Sequence, residues 1–343
     1  MKKIQNSLYI LTQGAYLAKE GETIAVRVEK EVKQRFPIHN QSDILCFGNV
    51  LCSPALMGFC GERGVGLAFF SENGRFLARI QGPVSGNVLL RRAQYSLAND
   101  NEGQSNLARR FVVAKIVNSR SVLMRAIREY PGSSGVENLK KAASYLLIIL
   151  RGLELEMPLD SIRGNEGDAA RTYFSVFDDL ITTQKDDFFF HERSRRPPMD
   201  NVNALLSFTY TLLAHDTVSA LEGVGLDPAV GYLHAIRPGR PSLALDMMEE
   251  FRSMLADRLV LNLINRRQIK KDGFTQTESG AVIMDDKTRR ELIKTYQERK
   301  KEEIIHPFLG EKIPLGLLPH VQAMLLARYL RGDLDAYPPF RWR

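Results

Sequence analysis

The chain has 343 residues, 44% of them hydrophobic and 25% charged, a composition typical of a globular protein with room for two domains. No stretch approaches the roughly 20 uninterrupted apolar residues of a membrane span, and no apolar run with a cleavage site follows Met1-Lys2-Lys3. We therefore expect a cytoplasmic protein that does not cross a membrane. The net charge of +7 favours a polyanionic partner such as nucleic acid, although many basic proteins bind none.

Residues 1 to 85 are predicted to form a β-rich domain. Residues 24 to 28 alternate apolar with mostly polar side chains, as in a half-buried strand. Ser53-Pro54 predicts the start of a short helix, because serine caps helices and proline suits the first helical position. The pair Asn73-Gly74 lies between two apolar runs and is typical of a tight hairpin turn.

Three cysteines, Cys46, Cys52 and Cys60, lie within fifteen residues of this first domain. They lack the paired two-residue spacing of a zinc site. We predict that they are reduced and partly buried.

After Gly82-Pro83 the apolar periodicity becomes helical and stays so almost to the end of the chain. The predicted fold class is therefore α+β, with a small β-rich N-terminal domain followed by a larger all-α domain over residues 86 to 343. Residues 268 to 287 are predicted to form an exposed excursion or a small hairpin. The predicted helices cover residues 87–98, 104–129, 136–153, 159–182, 200–222, 241–266, 287–304 and 316–331.

The predicted helix that begins near Ser242 carries a polar face. Ser242, Asp246, Glu249 and Ser253 follow one another at spacings of four, three and four residues, which places them on one side of a helix. A solvated surface helix presents the same kind of face, so the pattern alone does not establish a site.

Glu166 and His234 are further candidates for chemistry. Glu166 lies between Gly164 and Gly167, and each glycine costs about 1 kcal/mol in a helix relative to alanine, which suggests close approach by backbone or ligand. An ordinary helix start explains the same residues equally well. His234 directly precedes the acidic face, although a lone histidine is more often a surface or core residue. A neutral imidazole with two carboxylates would suit Mg²⁺ or Mn²⁺.

Three runs, residues 164–174, 198–208 and 231–252, resemble the CRISPR-associated adaptation integrases, the family of the first-numbered Cas protein. The likeness spans the chain. Residues 11–17 and 47–95 resemble most the subtype I-C members of that family.

The resemblance implies that Glu166, His234 and Glu249 are the ligands of one Mg²⁺ or Mn²⁺ ion, with Asp246 a nearby acid. It implies a metal-dependent DNA endonuclease and integrase, which inserts short DNA fragments into a CRISPR array by attack of a 3′-hydroxyl on a phosphodiester. Its implied partners are double-stranded DNA, a second copy of the chain bound through the N-terminal domain, and the small second-numbered Cas adaptation protein.

Such chemistry needs a basic surface, and Arg163 shares the predicted helix face of Glu166. Residues 338–343 are predicted either to dock on a partner or to form a mobile tail. The other candidate DNA contacts lie in predicted loops near the acidic helices: Arg193, Arg195, Arg196, Arg237 and Arg240.

Two rival functions stay open on the sequence. The doublet His215-Asp216 occurs in metal phosphohydrolases of the His-Asp class, but the remaining histidines do not supply the further ligands that this chemistry needs. A non-catalytic DNA-binding scaffold would explain the charge and the helices, but it would leave Glu166, His234 and Glu249 without a role.

Overall fold

The computed structural model describes residues 7–41, 43–72, 74–80, 82 and 88–342. The chain divides into two compact units, Met1–Gly86 and Asn87–Arg343. The first is rich in strands and the second is mostly helical, so the predicted α+β fold class is confirmed.

The N-terminal unit contains two four-stranded sheets and a short helix. The sheets have the strand orders β1-β5-β7-β8 and β4-β3-β2-β6, and their elements are β1 (Ser7–Ile10), β2 (Tyr16–Glu20), β3 (Thr23–Val28), β4 (Glu31–Pro37), β5 (Asp43–Phe47), β6 (Leu51–Cys52), α1 (Pro54–Arg63), β7 (Gly66–Phe70) and β8 (Phe76–Ile80). In the first sheet β1, β5 and β7 are parallel, and β8 is antiparallel to β7.

Local signals account for the bounds of α1. The Ser53 hydroxyl accepts a hydrogen bond from the Leu56 amide at 3.2 Å, and Gly64 ends the helix with a φ of 66°. The predicted hairpin joins β7 to β8, and Gly74 has a φ of 81° there, whereas Asn73 lies outside the described residues.

The core of this unit forms where α1 packs against β2 and β7. All three cysteines are free thiols, with Cys46 and Cys60 buried and Cys52 partly buried. Burial raises the pKa of Cys60 to about 11, so this thiol stays protonated near neutral pH.

The C-terminal unit is built from helices with two short antiparallel hairpins between them. Its elements are α2 (Val88–Ala98), α3 (Asn101–Glu129), α4 (Val136–Gly152), α5 (Leu159–Ser175), α6 (Asn201–Val224), α7 (Ser242–Met248), α8 (Arg258–Asn265), β9 (Phe274–Gln276), β10 (Val282–Met284), α9 (Asp286–Lys301), β11 (Glu303–Ile305), β12 (Lys312–Pro314) and α10 (Leu318–Leu330). The long α3 packs against α4 and α5, and α6 packs against α10 and α7. No helix in the described ranges is long and apolar enough to cross a membrane.

Two predicted helices are shorter than expected. The one predicted over 159–182 ends at Ser175, because the chain bends there and packs Phe177 against Tyr173 and Phe190. The one predicted over 241–266 is broken. After Met248 a turn leads into a π-helical segment, Arg252–Asp257, and regular α-helix resumes at Arg258. The β9–β10 hairpin falls within the predicted excursion of residues 268–287.

Candidate metal centre

A buried carboxylate, that of Asp246 on α7, holds the loop that carries His234. Its Oδ2 accepts hydrogen bonds from the amides of Tyr232 at 2.6 Å and Leu233 at 3.0 Å. Its Oδ1 accepts the amide of His234 at 2.8 Å and lies 2.7 Å from the Nδ1 atom of that ring. Because a carboxylate only accepts, Nδ1 carries the proton and Nε2 is left as the nitrogen that can bind a metal.

The loop can approach α7 this closely because residue 231 is glycine. A Cβ atom added to Gly231 would lie 2.7 Å from the backbone of Ser242 and 2.8 Å from Oδ2 of Asp246, closer than such atoms pack. Two other helices also hold the loop. Arg163 Nε on α5 donates to the Leu233 carbonyl at 2.8 Å, and Gln104 on α3 donates to the Tyr232 carbonyl at 3.1 Å.

Glu249 lies directly after α7 and is 4% exposed. Arg252 donates to its Oε1 at 2.7 Å, and the Lys115 ammonium forms an ion pair with its Oε2 at 2.9 Å. Burial raises the pKa of Glu249, but the positive charges of Arg252 and Lys115 outweigh burial and hold the pKa well below its ordinary value. The carboxylate is therefore ionised, and Oε2 has a charge partner but accepts no hydrogen bond of good geometry from the described residues.

Glu166 on α5 contacts the same ammonium group. Its Oε1 accepts a hydrogen bond from Lys115, which lies on α3 and is 8% exposed. Two carboxylates from separate elements thus converge on one cation. Within the described ranges, no three His, Cys, Asp or Glu side chains lie close enough together to hold an ion as they stand. The group that joins Glu166 to Glu249 is the lysine.

The glycines beside Glu166 do not meet another backbone segment. A Cβ atom at Gly164 or Gly167 would have no described atom within 4 Å. Of the two expected explanations, close approach by a described backbone segment is therefore not found, and close approach by a ligand stays a prediction. Both glycines border open space.

The candidate arginines differ in their surroundings. Arg163 is partly exposed and pairs with Asp160 at 3.0 Å. Arg193 turns inward: it donates to Ser207 Oγ at 3.0 Å and lies over the Tyr210 ring, and burial lowers its pKa. The rest lie at the surface, with Arg195, Arg196 and Arg237 exposed and Arg240 partly exposed.

In the His215-Asp216 doublet, the aspartate has a structural role. Asp216 is 2% exposed and accepts Lys300 Nζ at 2.9 Å and the Tyr296 hydroxyl at 2.8 Å. The phosphohydrolase alternative needs Asp216 as a metal ligand, whereas here its carboxylate is buried and paired with Lys300. The structure therefore does not support that alternative.

Sequence reasoning missed the two cations of the site. Lys115 is the one charged residue in the apolar run 111–117, and a buried lysine is almost always paired, which was an available signal. Arg252 lies three residues after Glu249, a spacing at which helical side chains meet.

Comparison with known proteins identifies the family. The sequence profile described as CRISPR associated protein Cas1 matches residues 8–298. The chain belongs to the Cas1 family. A relative from Chlorobaculum tepidum, named CRISPR-associated endonuclease Cas1 1, is 56% identical over 343 residues that cover all of both chains. The chain is accordingly a CRISPR-associated endonuclease of the Cas1 family.

Solved structures agree on the fold. A Cas1 protein from Thermotoga maritima superposes with a TM-score of 0.81 at 26% identity, covering 95% of this chain and 97% of that one. A casposase bound to integration product gives 0.83 at 22% identity, with 98% and 94% covered. A chain of a Cas6-RT-Cas1–Cas2 complex gives 0.86 at 20% identity, and this chain spans 37% of its length. The last two likenesses concern the fold alone.

Proposed function

We propose that this Cas1-family chain is a metal-dependent endonuclease and integrase that inserts short DNA fragments into a CRISPR array. The reaction is attack of a 3′-hydroxyl on a phosphodiester, and with water as the nucleophile the same site cuts DNA. One observation carries the proposal: Glu166 and Glu249 converge on a single cation, and Asp246, three residues before Glu249, fixes the orientation of the His234 ring.

The side chains fit a divalent ion. Two carboxylates and a neutral imidazole supply oxygen and nitrogen donors with a total charge of −2, which suits Mg²⁺ or Mn²⁺. The Lys115 ammonium already marks the point on which the carboxylates converge. Glu166, Glu249 and Nε2 of His234 would hold the ion once the lysine has moved aside.

The neighbouring residues would orient this set. Arg252 keeps one oxygen of Glu249 engaged, so the other oxygen faces Lys115. Asp246 fixes the ring of His234. The bound ion would lower the pKa of the attacking hydroxyl and offset charge on the phosphate. Lys115, on its flexible stem, would then be a positive group beside the DNA backbone.

The proposed partners follow from the substrate and the family. Double-stranded DNA is both the captured fragment and the repeat. Its proposed contacts are the candidate arginines of the sequence: Arg163, Arg193, Arg195, Arg196, Arg237 and Arg240. We propose a homodimer through the N-terminal unit, and assembly with the small second-numbered Cas protein. Action on a CRISPR array would place the protein in the cytoplasm.

Nuclease and strand-joining assays test this proposal. Purified protein is expected to nick and join DNA with Mn²⁺, and to lose both activities with a chelator and in Glu166→Ala or His234→Ala. Glu156→Ala, an exposed glutamate, is the matched control and should keep full activity. Full activity of Glu166→Ala and His234→Ala would refute the metal assignment. DNA binding without metal-dependent chemistry would support the scaffold alternative instead.

A further inference from the structure

The segment that carries Glu249 is a break in a helix. The amides of Glu249, Glu250 and Phe251 donate to carbonyls three residues back, at 3.3, 3.1 and 2.9 Å, and the π-helical segment Arg252–Asp257 follows. Such a break is less stable than continuous α-helix and depends on contacts from elsewhere. One contact comes from Asn118 on α3, whose Nδ2 donates to the Glu250 carbonyl at 2.7 Å.

The side chain of Glu250 is fully buried beside the end of the chain. Its Oε1 accepts the Tyr337 hydroxyl at 2.6 Å. Its Oε2 accepts the Phe340 amide at 2.6 Å and Gln322 Nε2 at 3.0 Å. The two consecutive glutamates thus bind different partners. Glu249 pairs with the two cations, and Glu250 accepts hydrogen bonds from Tyr337 and Phe340.

Residues 337–342, here the C-terminal segment, are packed into the helical unit. Tyr337 and Phe340 are buried, at 0% and 1% exposure. Asn118 Nδ2 also donates to the Phe340 carbonyl at 3.0 Å, and its Oδ1 accepts the Trp342 amide at 2.7 Å. The Trp342 ring lies beneath the guanidinium of Arg258, 4.5 Å away. Of the two roles expected from sequence, a mobile tail is excluded for residues 338–342.

The C-terminal segment therefore joins the turn that carries Glu249 to α3, the helix that carries Lys115. Asn118 lies one helical turn after Lys115 on α3, and Glu250 is adjacent to Glu249. We propose that the C-terminal segment is a positioning element for the metal centre, which holds the turn at Glu249 against α3 through Glu250 and Asn118. This inference rests on the proposed function, because it takes Glu249 as a metal ligand.

Metal titration of the full-length protein tests this inference. Glu250→Leu removes the acceptor of three hydrogen bonds at similar volume, and it is expected to weaken Mn²⁺ binding by about tenfold or more, as loss of supporting contacts around metal ligands does. Glu250→Gln keeps one acceptor oxygen and should restore most of the affinity. Isothermal titration well below the melting temperature measures both. Leu292→Ala, in the α9 core, is the control that lowers stability and should leave Mn²⁺ affinity unchanged.

The outcomes separate the inference from the proposed function. Wild-type Mn²⁺ affinity in Glu250→Leu, with a lower melting temperature, would show that the segment only stabilises the fold and would overturn the inference. Wild-type protein that binds no Mn²⁺ would overturn the proposed function and the inference with it. If Glu250→Leu does not fold, deletion of residues 342–343 removes the Trp342 bond to Asn118 and leaves Tyr337 and Phe340 in place. Weaker Mn²⁺ binding then supports the inference, and unchanged binding overturns it.

Discussion

Asp246→Asn is the substitution that most directly tests how the histidine is held. The carboxylate accepts three backbone amides, at 2.6, 3.0 and 2.8 Å, and its Oδ1 lies 2.7 Å from His234 Nδ1. An amide of the same shape has one accepting oxygen and one NH₂ group. Whichever way it turns, the NH₂ group faces two donors that the carboxylate satisfied.

The cost can be worked from those contacts. Each buried donor left without an acceptor costs roughly 1–3 kcal/mol, so two of them amount to about 2–6 kcal/mol. The whole free energy of unfolding of a domain is about 5–15 kcal/mol. At about 2–4 °C per kcal/mol, the melting temperature should fall by on the order of 10 °C. Mn²⁺ affinity should fall about 10–100-fold, because the imidazole loses the partner that orients it.

Thermal unfolding and Mn²⁺ titration measure these two effects. Asp186→Asn, at an exposed position, is the matched control and should change neither. An Asp246→Asn protein with wild-type melting temperature and wild-type Mn²⁺ affinity would refute the reasoning. A lower melting temperature with unchanged affinity would show that Asp246 holds the loop but does not orient the ring for metal.

Three further predictions concern the cation, the glycines and a buried histidine. Lys115→Met should tighten Mn²⁺ binding in titrations, because the ammonium no longer competes for the carboxylates; weaker binding would contradict this. Gly231→Ala should lower the free energy of unfolding by about 1–3 kcal/mol, because the added methyl group overpacks the loop against α7. Gly164→Ala, over open space, should raise it by up to about 1 kcal/mol. Equal free energies of unfolding for the two variants in chemical denaturation would contradict the close packing at Gly231. Burial lowers the pKa of His306, so the unfolded chain takes up its proton first and stability is lost as pH falls below about 6.5. His306→Gln should reduce that loss in denaturation curves between pH 7 and 5, and an unchanged pH dependence would exclude this contribution.

The sequence predicted elements whose signals are local. The first helix begins after Ser53, where the serine and the following proline predicted its start. The break after Met248 could not be predicted in this way, because apolar spacing continues through Phe251, Met254 and Leu255. The contacts that support the break come from Asn118 and from the C-terminal segment, 132 and 90 residues away in sequence.

The same limit applies to the site. A polar helix face singled out Glu249, and its position nominated His234, both from residues close together in the sequence. The contact between Lys115 and Glu166 spans 51 residues and depends on how α3 packs against α5. Periodicity within one helix carries no information on that packing. The apolar run around Lys115 indicates a buried and paired lysine, but it does not indicate which carboxylates the lysine faces.

The lysine that joins Glu166 to Glu249 has a thermodynamic consequence. With Lys115 and Arg252 in place, the charges of the two glutamates are balanced, and a divalent ion would bring an excess of positive charge into a partly buried site. A DNA phosphate can balance part of that excess. Metal and DNA should therefore each raise the affinity for the other by the same factor, as reciprocal linkage requires. A dissociation constant for Mn²⁺ measured without DNA would then understate how tightly the working complex holds its ion.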